Sequence, residues 1–205
     1  MSHEHSDHWK GAGPISRYAK CPIYMSELSY EEKKHQIGRC EIKFVNSGDE
    51  IRINDLVIKH FSTKHDTKNS FGYLITEDDG PSFAYVTDTG MITPLMANYM
   101  LKADVLLLEA DYDDKLLDDY EEYDDWLKAR IMSSTGHLSN TQSIEFLVEH
   151  GINNYKKVIF AHLSPRTNTP DTIIKMASSA FPDDNEKFLT APLTDALDII
   201  KNQKD

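Results

Sequence analysis

Hydrophobic positions in this chain come in short runs between polar turns, and their spacing switches between the strand period of two and the helical period of about 3.6 residues. Early in the chain a short helix is expected from Gly11 to Cys21, with Ile15 and Tyr18 on one side, followed by a strand at Pro22-Ile23-Tyr24-Met25. Ser29 to Ile37 reads as a helix closed by Gly38, and Glu41 to Val45 as a strand. Ile51-Arg52-Ile53 and Leu56 to Thr63 bracket Asn54-Asp55, a hairpin signal, while Asp78-Asp79-Gly80 joins the strands Gly72 to Thr76 and Ser82 to Thr87.

Beyond this point strands and helices alternate. Thr93 caps and Pro94 opens a helix to about Lys102, and Asp104 to Glu109 is a buried strand. A second helix carries Trp126, Leu127 and Ile131 at helical spacing. Ser139 and Gln142 make a capping box for a third, with Ile144, Leu147 and Val148 expected inward and Gly151 at its end. Lys157 to Ala161 is a strand, Thr169-Pro170 starts a helix that stops near Pro182, and Phe188-Leu189 is a last strand. Without repeats or linkers, residues 1–205 are expected to form a single domain of alternating strands and helices.

Several of these strands end on a side chain that can bind a metal or move a proton: His65, Asp88, Glu109 and His162. Loops at strand ends are where rigid scaffolds present chemistry. Another concentration lies at the start, where Ser2-His3-Glu4-His5-Ser6-Asp7-His8 spells H-x-H-x-D-H. Residues two apart on an extended segment point the same way, so His3 and His5 can share one ion, and Asp7 and His8, past the bend, can reach a second. Imidazole and carboxylate without thiolate suit Zn²⁺, Mn²⁺ or Fe²⁺.

Composition changes this picture little. The formal charge of −12 disfavours polyanions at long range, but Asp111 to Asp125 holds nine acids and one lysine, which leaves only −4 for the rest of the chain. Cys21 and Cys40 have no metal or redox spacing and are expected to be reduced thiols. No apolar run reaches the roughly 18 residues of a membrane span, and no signal-peptide core precedes the metal loop, so a cytoplasmic protein without membrane contact is expected. Nothing in the sequence sets the oligomeric state.

H-x-H-x-D-H resembles the signature loop of the metallo-β-lactamase superfamily, which implies a four-layer αββα sandwich holding one or two metals. That superfamily places the first strands of one sheet ahead of this loop, so an N-terminally truncated sandwich is expected, with a sheet edge and part of its core uncovered. Carried over by position, the resemblance implies His3, His5 and the His65 of T-K-H-D on one divalent ion, with Asp66 or His60 as alternatives to His65. It implies Asp7, His8 and His162 on a second ion, and Asp88 of V-T-D-T-G bridging both around an activated hydroxide.

Gly136-His137-Leu138-Ser139-Asn140, together with A-D-V-L-L-L-E-A and H-L-S-P-R, is most similar to the WalJ/YycJ family and also echoes ribonuclease Z. Those matches imply a DNA exonuclease in which His137, oriented by Glu109, protonates the leaving alkoxide. Asp7 is counted with this pair as catalytic, and Arg166 is expected either to grip a phosphate or to pair with surface acids. A small cyclic phosphodiester is the alternative substrate, and a truncated non-catalytic remnant is the alternative of a different class.

Overall fold

The computed structural model describes residues 1–192. Part of the expected 205-residue unit, residues 193–205, lies outside the described residues. After α1 (Ser6–Trp9) and α2 (Ala12–Ala19), the chain forms β1 (Ile23–Met25), α3 (Glu27–Lys33) and β2 (Ile42–Phe44). Strands β3 (Glu50–Ile53), β4 (Leu56–Ser62), β5 (Phe71–Glu77) and β6 (Ser82–Val86) follow, then α4 (Pro94–Met100) and β7 (Val105–Glu109). The last elements are α5 (Asp114–Asp118), α6 (Asp125–Ile131), α7 (Asn140–His150), β8 (Lys157–Ala161), α8 (Pro170–Ala180) and β9 (Phe188–Thr190).

Strands β3 to β9 make one mixed sheet in sequence order. The hairpin-linked half, β3 to β6, is antiparallel, and β6 to β9 are parallel across helical connections. The second β layer consists of β1 and β2, paired in parallel. One row of side chains across the large sheet, Leu74, Ala84, Leu106 and Val158, is buried together with Met96, Met100, Leu147 and Ile173 of α4, α7 and α8. The neighbouring rows are apolar as well, yet Ile58, Tyr73, Ile75, Phe83, Tyr85 and Leu107 are only half-buried. The two short strands thus cover less of the sheet than the helices do.

Local chemistry explains the element ends. Thr93 accepts from the Met96 amide at the start of α4, and Ser139 and Gln142 form the reciprocal capping box of α7. One sequence expectation fails on burial. Val148 is exposed, and α7 instead buries Ser143 and Phe146 beside Ile144 and Leu147, because its inward stripe is rotated by one position. On α6, Trp126 is exposed and no residue is buried. Ile15 and Tyr18 of α2 also face outward.

Asp104 ties the starts of two central strands together. Its carboxylate accepts from the Ser82 amide and hydroxyl, both at 2.8 Å, and lies 3.0 Å from the Lys156 ammonium. The Ser82 hydrogen bonds, helped by Lys156, lower its pKa to about 2. The stabilisation is therefore complete above the unfolded carboxylate value near 4 and is lost as pH falls toward 2. The side chain is 32% exposed, so after solvent screening Asp104→Asn is expected to cost about 1 kcal/mol at pH 7 and almost nothing at pH 2, measured by urea unfolding at both values. Equal costs at both pH values would mean that the charge contributes nothing.

Candidate metal centre

Strands β4, β6, β7 and β8 run in the same direction, so their C-terminal ends open on one edge of the sheet. His65 lies just past β4, Asp88 just past β6, Glu109 at the end of β7 and His162 just past β8. The N-terminal loop crosses this edge, pinned where the Phe71 amide donates to the Ser2 carbonyl at 3.2 Å. Glu4, the unassigned position between the first two histidines, anchors it from beneath. This buried carboxylate accepts from the Ser29 hydroxyl at 2.8 Å and the Lys68 amide at 2.7 Å.

Among the described residues, four groups of side chains have donor atoms within 4.8 Å of one another: His3, His5 and His65; His3, His8 and Asp88; Asp7, His8 and His162; and Asp88, Glu109, His137 and His162. The structure thereby brings together the nine residues that the resemblance assigns to the two ions and the proton donor. Asp88 is the hub. Its Oδ1 lies 3.5 Å from His8 Nε2, 3.7 Å from His65 Nε2 and 3.4 Å from His162 Nε2. His65 Nε2 also faces His5 Nδ1 at 3.1 Å. His60 stands elsewhere, buried with Nδ1 3.3 Å from the Asp49 carbonyl, so the third partner of His3 and His5 is His65. Asp66 is engaged by Arg130, whose Nε donates to Oδ2 at 2.7 Å, while Oδ1 lies 3.7 Å from both His5 Nε2 and His65 Nε2.

Three of the rings are also partnered on their far side. His65 Nδ1 sits 3.0 Å from the Gly136 carbonyl, and the Ser2 hydroxyl is 3.2 Å from Nδ1 of both His3 and His8. Such outer contacts fix tautomer and orientation and leave the inner nitrogen free to ligate. Burial pushes the His3 imidazole down to about 3, despite Asp88 nearby, and lowers His65 as well. Both rings are therefore neutral at pH 7, the form that binds metal.

Glu109 organises the other half. It is fully buried and accepts from the Asp88 amide at 3.1 Å, the Thr89 amide at 2.9 Å and the Leu138 amide at 3.2 Å, and His137 Nδ1 lies 2.7 Å from Oε1. Burial alone would raise its pKa, but contacts with His137 and His162 outweigh this and hold it below the usual carboxylate range. Burial likewise opposes a charge on His137, and the Glu109 carboxylate more than compensates, so the imidazole is raised. Asp88 and His162 both have φ of +59°, a region that non-glycine residues seldom occupy and that costs of order 1 kcal/mol or more. The amide bonds to Glu109 hold Asp88 in that turn.

Sequence reasoning passed over Glu4 and Asp111. Asp111 Oδ1 lies 3.6 Å from His162 Nδ1, although it sits in an acidic run that reads as solvated surface. The only cue to Glu4 was its place inside the histidine loop.

A profile of the beta-lactamase superfamily domain matches residues 1–163. The chain belongs to the beta-lactamase superfamily. Within that superfamily it is similar to the exodeoxyribonuclease WalJ of Streptococcus pneumoniae serotype 2, at 32% identity over 173 residues. It is also similar to the exodeoxyribonuclease YycJ of Bacillus anthracis, at 29% over 171 residues. Both matches cover 82% of this chain, and the chain spans 64% of the length of these curated relatives. In fold it is similar to the metallo-beta-lactamase fold protein YhfI from Bacillus subtilis, with a TM-score of 0.66 and 19% identity over 92% of this chain and 72% of that one.

Superfamily members typically hold divalent metals, and the residues present here fit such a group. His3 Nε2 and Asp88 Oδ2 are buried without a hydrogen-bond partner, which is costly unless a cation accepts their lone pairs. His162 Nδ1, 3.1 Å from Glu109 Oε1, also lacks a well-directed hydrogen bond. Among the described residues, no helix is long and apolar enough to cross a membrane.

Proposed function

We propose that the protein is a metal-dependent phosphodiester hydrolase acting on DNA. The observation that carries this reading is the joining of two imidazole–carboxylate clusters at Asp88, directly beside the His137–Glu109 pair. The exodeoxyribonuclease names of the WalJ and YycJ relatives support DNA as the substrate.

In this reading His3, His5 and His65 would hold one divalent cation, Asp7, His8 and His162 would hold a second, and the Asp88 carboxylate would serve both; Zn²⁺ and Mn²⁺ both suit the donor set. When bound, the cations screen phosphoryl oxygens and bring the pKa of a water toward neutrality. The protein's own groups do the rest. Asp7, whose carboxylate is largely exposed and lies 3.3 Å from His8 Nε2, orients the attacking water. His137 keeps Nδ1 on Glu109 and uses its other nitrogen to protonate the departing sugar oxygen. The raised imidazole is protonated over more of the neutral range than a free histidine. The site opens into a cavity of about 360 Å³, walled on one side by Leu127, Arg130 and Ile131 of α6.

Two measurements test this. Metal-loaded protein should release nucleotides from 5′-phosphorylated duplex DNA, and inactivity on DNA, RNA and bis(p-nitrophenyl) phosphate alike removes the reading. His137→Ala should slow DNA cleavage about 10²- to 10⁴-fold, but should slow bis(p-nitrophenyl) phosphate hydrolysis far less, because nitrophenolate leaves without a proton. Equal losses on both substrates would refute the general-acid role.

The cavity volume and the charge of −12 favour a second reading, a small or cyclic phosphodiester. Salt separates the two, since counterion release makes cleavage of a long polyanion steeply salt-dependent and leaves a small diester nearly unaffected.

A further inference from the structure

The segment bearing α5 and α6 carries aromatic surface that the chemistry above does not use. Trp126 is 70% exposed, and Tyr120 packs edge-on against Tyr123 with ring centroids 4.7 Å apart. Guanidinium groups stand over two of these rings: Arg130 lies 6.0 Å from the Trp126 centroid and Arg166 lies 5.9 Å from that of Tyr123. This surface is continuous with the site. Arg130 both faces Trp126 and lines the cavity, and Arg166 follows His162 by four residues.

We propose that this arm is a stacking platform for unpaired nucleobases of a strand whose phosphates enter the metal centre; the inference rests on the phosphodiesterase reading. Charge decides which part of the strand the arm can hold. Nine acids between Asp111 and Asp125 repel phosphates, so a sugar–phosphate backbone is disfavoured along the arm itself. Bases are uncharged, and every base has a face that stacks on an aromatic ring. The arginines mark the boundary between the two environments. Arg130 faces Trp126 and lines the cavity while its Nε and Nη2 hold Asp66, and Arg166 faces Tyr123, so both guanidinium groups place positive charge beside the rings where the backbone leaves the bases. The arm therefore takes bases and the strand-end edge of the sheet takes phosphates. Because a paired base hides its face in the duplex, the platform selects frayed or single-stranded ends.

The test is fluorescence anisotropy of labelled phosphorothioate ten-mers, which resist cleavage, titrated with the metal-loaded full chain. One probe is oligothymidylate and the other an abasic chain of equal length. The abasic probe is expected to bind about tenfold more weakly. Trp126→Ala should weaken oligothymidylate binding about tenfold and leave the abasic probe unchanged, while Tyr18→Ala, at an exposed aromatic on α2, should alter neither. Equal affinity for the two probes, or wild-type affinity in Trp126→Ala, overturns the proposal. Hydrolysis of bis(p-nitrophenyl) phosphate, followed in parallel, keeps the two readings apart. Hydrolysis without base-dependent binding removes the platform alone, and absence of all hydrolysis removes the phosphodiesterase reading beneath it.

Discussion

Asparagine in place of Asp88 is expected to reduce phosphodiester hydrolysis by roughly a thousandfold or more, on the scale of several kcal/mol of lost charge stabilisation, and to leave fewer than two equivalents of bound metal. Oδ1 of this carboxylate is within 3.7 Å of three imidazoles, and its Oδ2 is buried with nothing to accept from. A neutral amide of the same shape keeps the packing but removes the negative charge that two cations would share. Asparagine also tolerates the left-handed backbone at φ +59°, so the variant should fold, whereas alanine adds strain of order 1 kcal/mol and confounds the result. Metal content by mass spectrometry and turnover on bis(p-nitrophenyl) phosphate give the two readouts. If the Asn variant keeps two metals and wild-type turnover, Asp88 is a turn residue and the metal-centre reading fails with it.

The largest effect on stability is expected from Glu109→Ala. The substitution strips the acceptor from three buried amides, those of Asp88, Thr89 and Leu138, and removes the carboxylate partner of His137. At about 1–3 kcal/mol for each of the three stranded donors, the loss is roughly 3–9 kcal/mol, a large share of the 5–15 kcal/mol that a domain usually has. Urea unfolding of the metal-free chain measures it directly, and a loss below about 1 kcal/mol would mean that the loops find other acceptors.

Glu109→Gln separates charge from packing, since it keeps one acceptor oxygen and the side-chain volume. Because the folded-state pKa of Glu109 is depressed, its charge stabilises the fold above the unfolded value near 4, and that contribution is lost as pH falls below it. Wild type should therefore lose stability on acidification through this window more steeply than the Gln variant.

Much of the architecture is legible in residue patterns, because strands and helix caps are local. Asn54-Asp55, Thr93-Pro94 and Ser139 with Gln142 each satisfy backbone groups within a few residues, and the corresponding turn and helices stand where those residues place them. Patterns fail where burial depends on partners distant in sequence. Val148 and Phe146 sit two positions apart on α7, and only the direction from which the sheet packs makes one exposed and the other buried. Trp126 shows the same dependence: helical spacing groups it with Leu127 and Ile131, but only the packing of α6 leaves it exposed.

At the candidate metal centre, residue patterns alone supply the cast: histidines two apart in a loop, and single His, Asp and Glu residues at the ends of apolar strands. Residue type and strand period are local properties, and a shared edge follows once several strands run in the same direction. The partnerships come from packing: His65 rather than His60 joins His3 and His5, Asp66 turns to Arg130, Glu4 holds the loop from below, and one buried carboxylate, Glu109, fixes the turn at Asp88 and the ring of His137 together. Those contacts join residues 20 to 70 apart, and their distances and burial depend on how separate strands pack, which no spacing along the chain encodes.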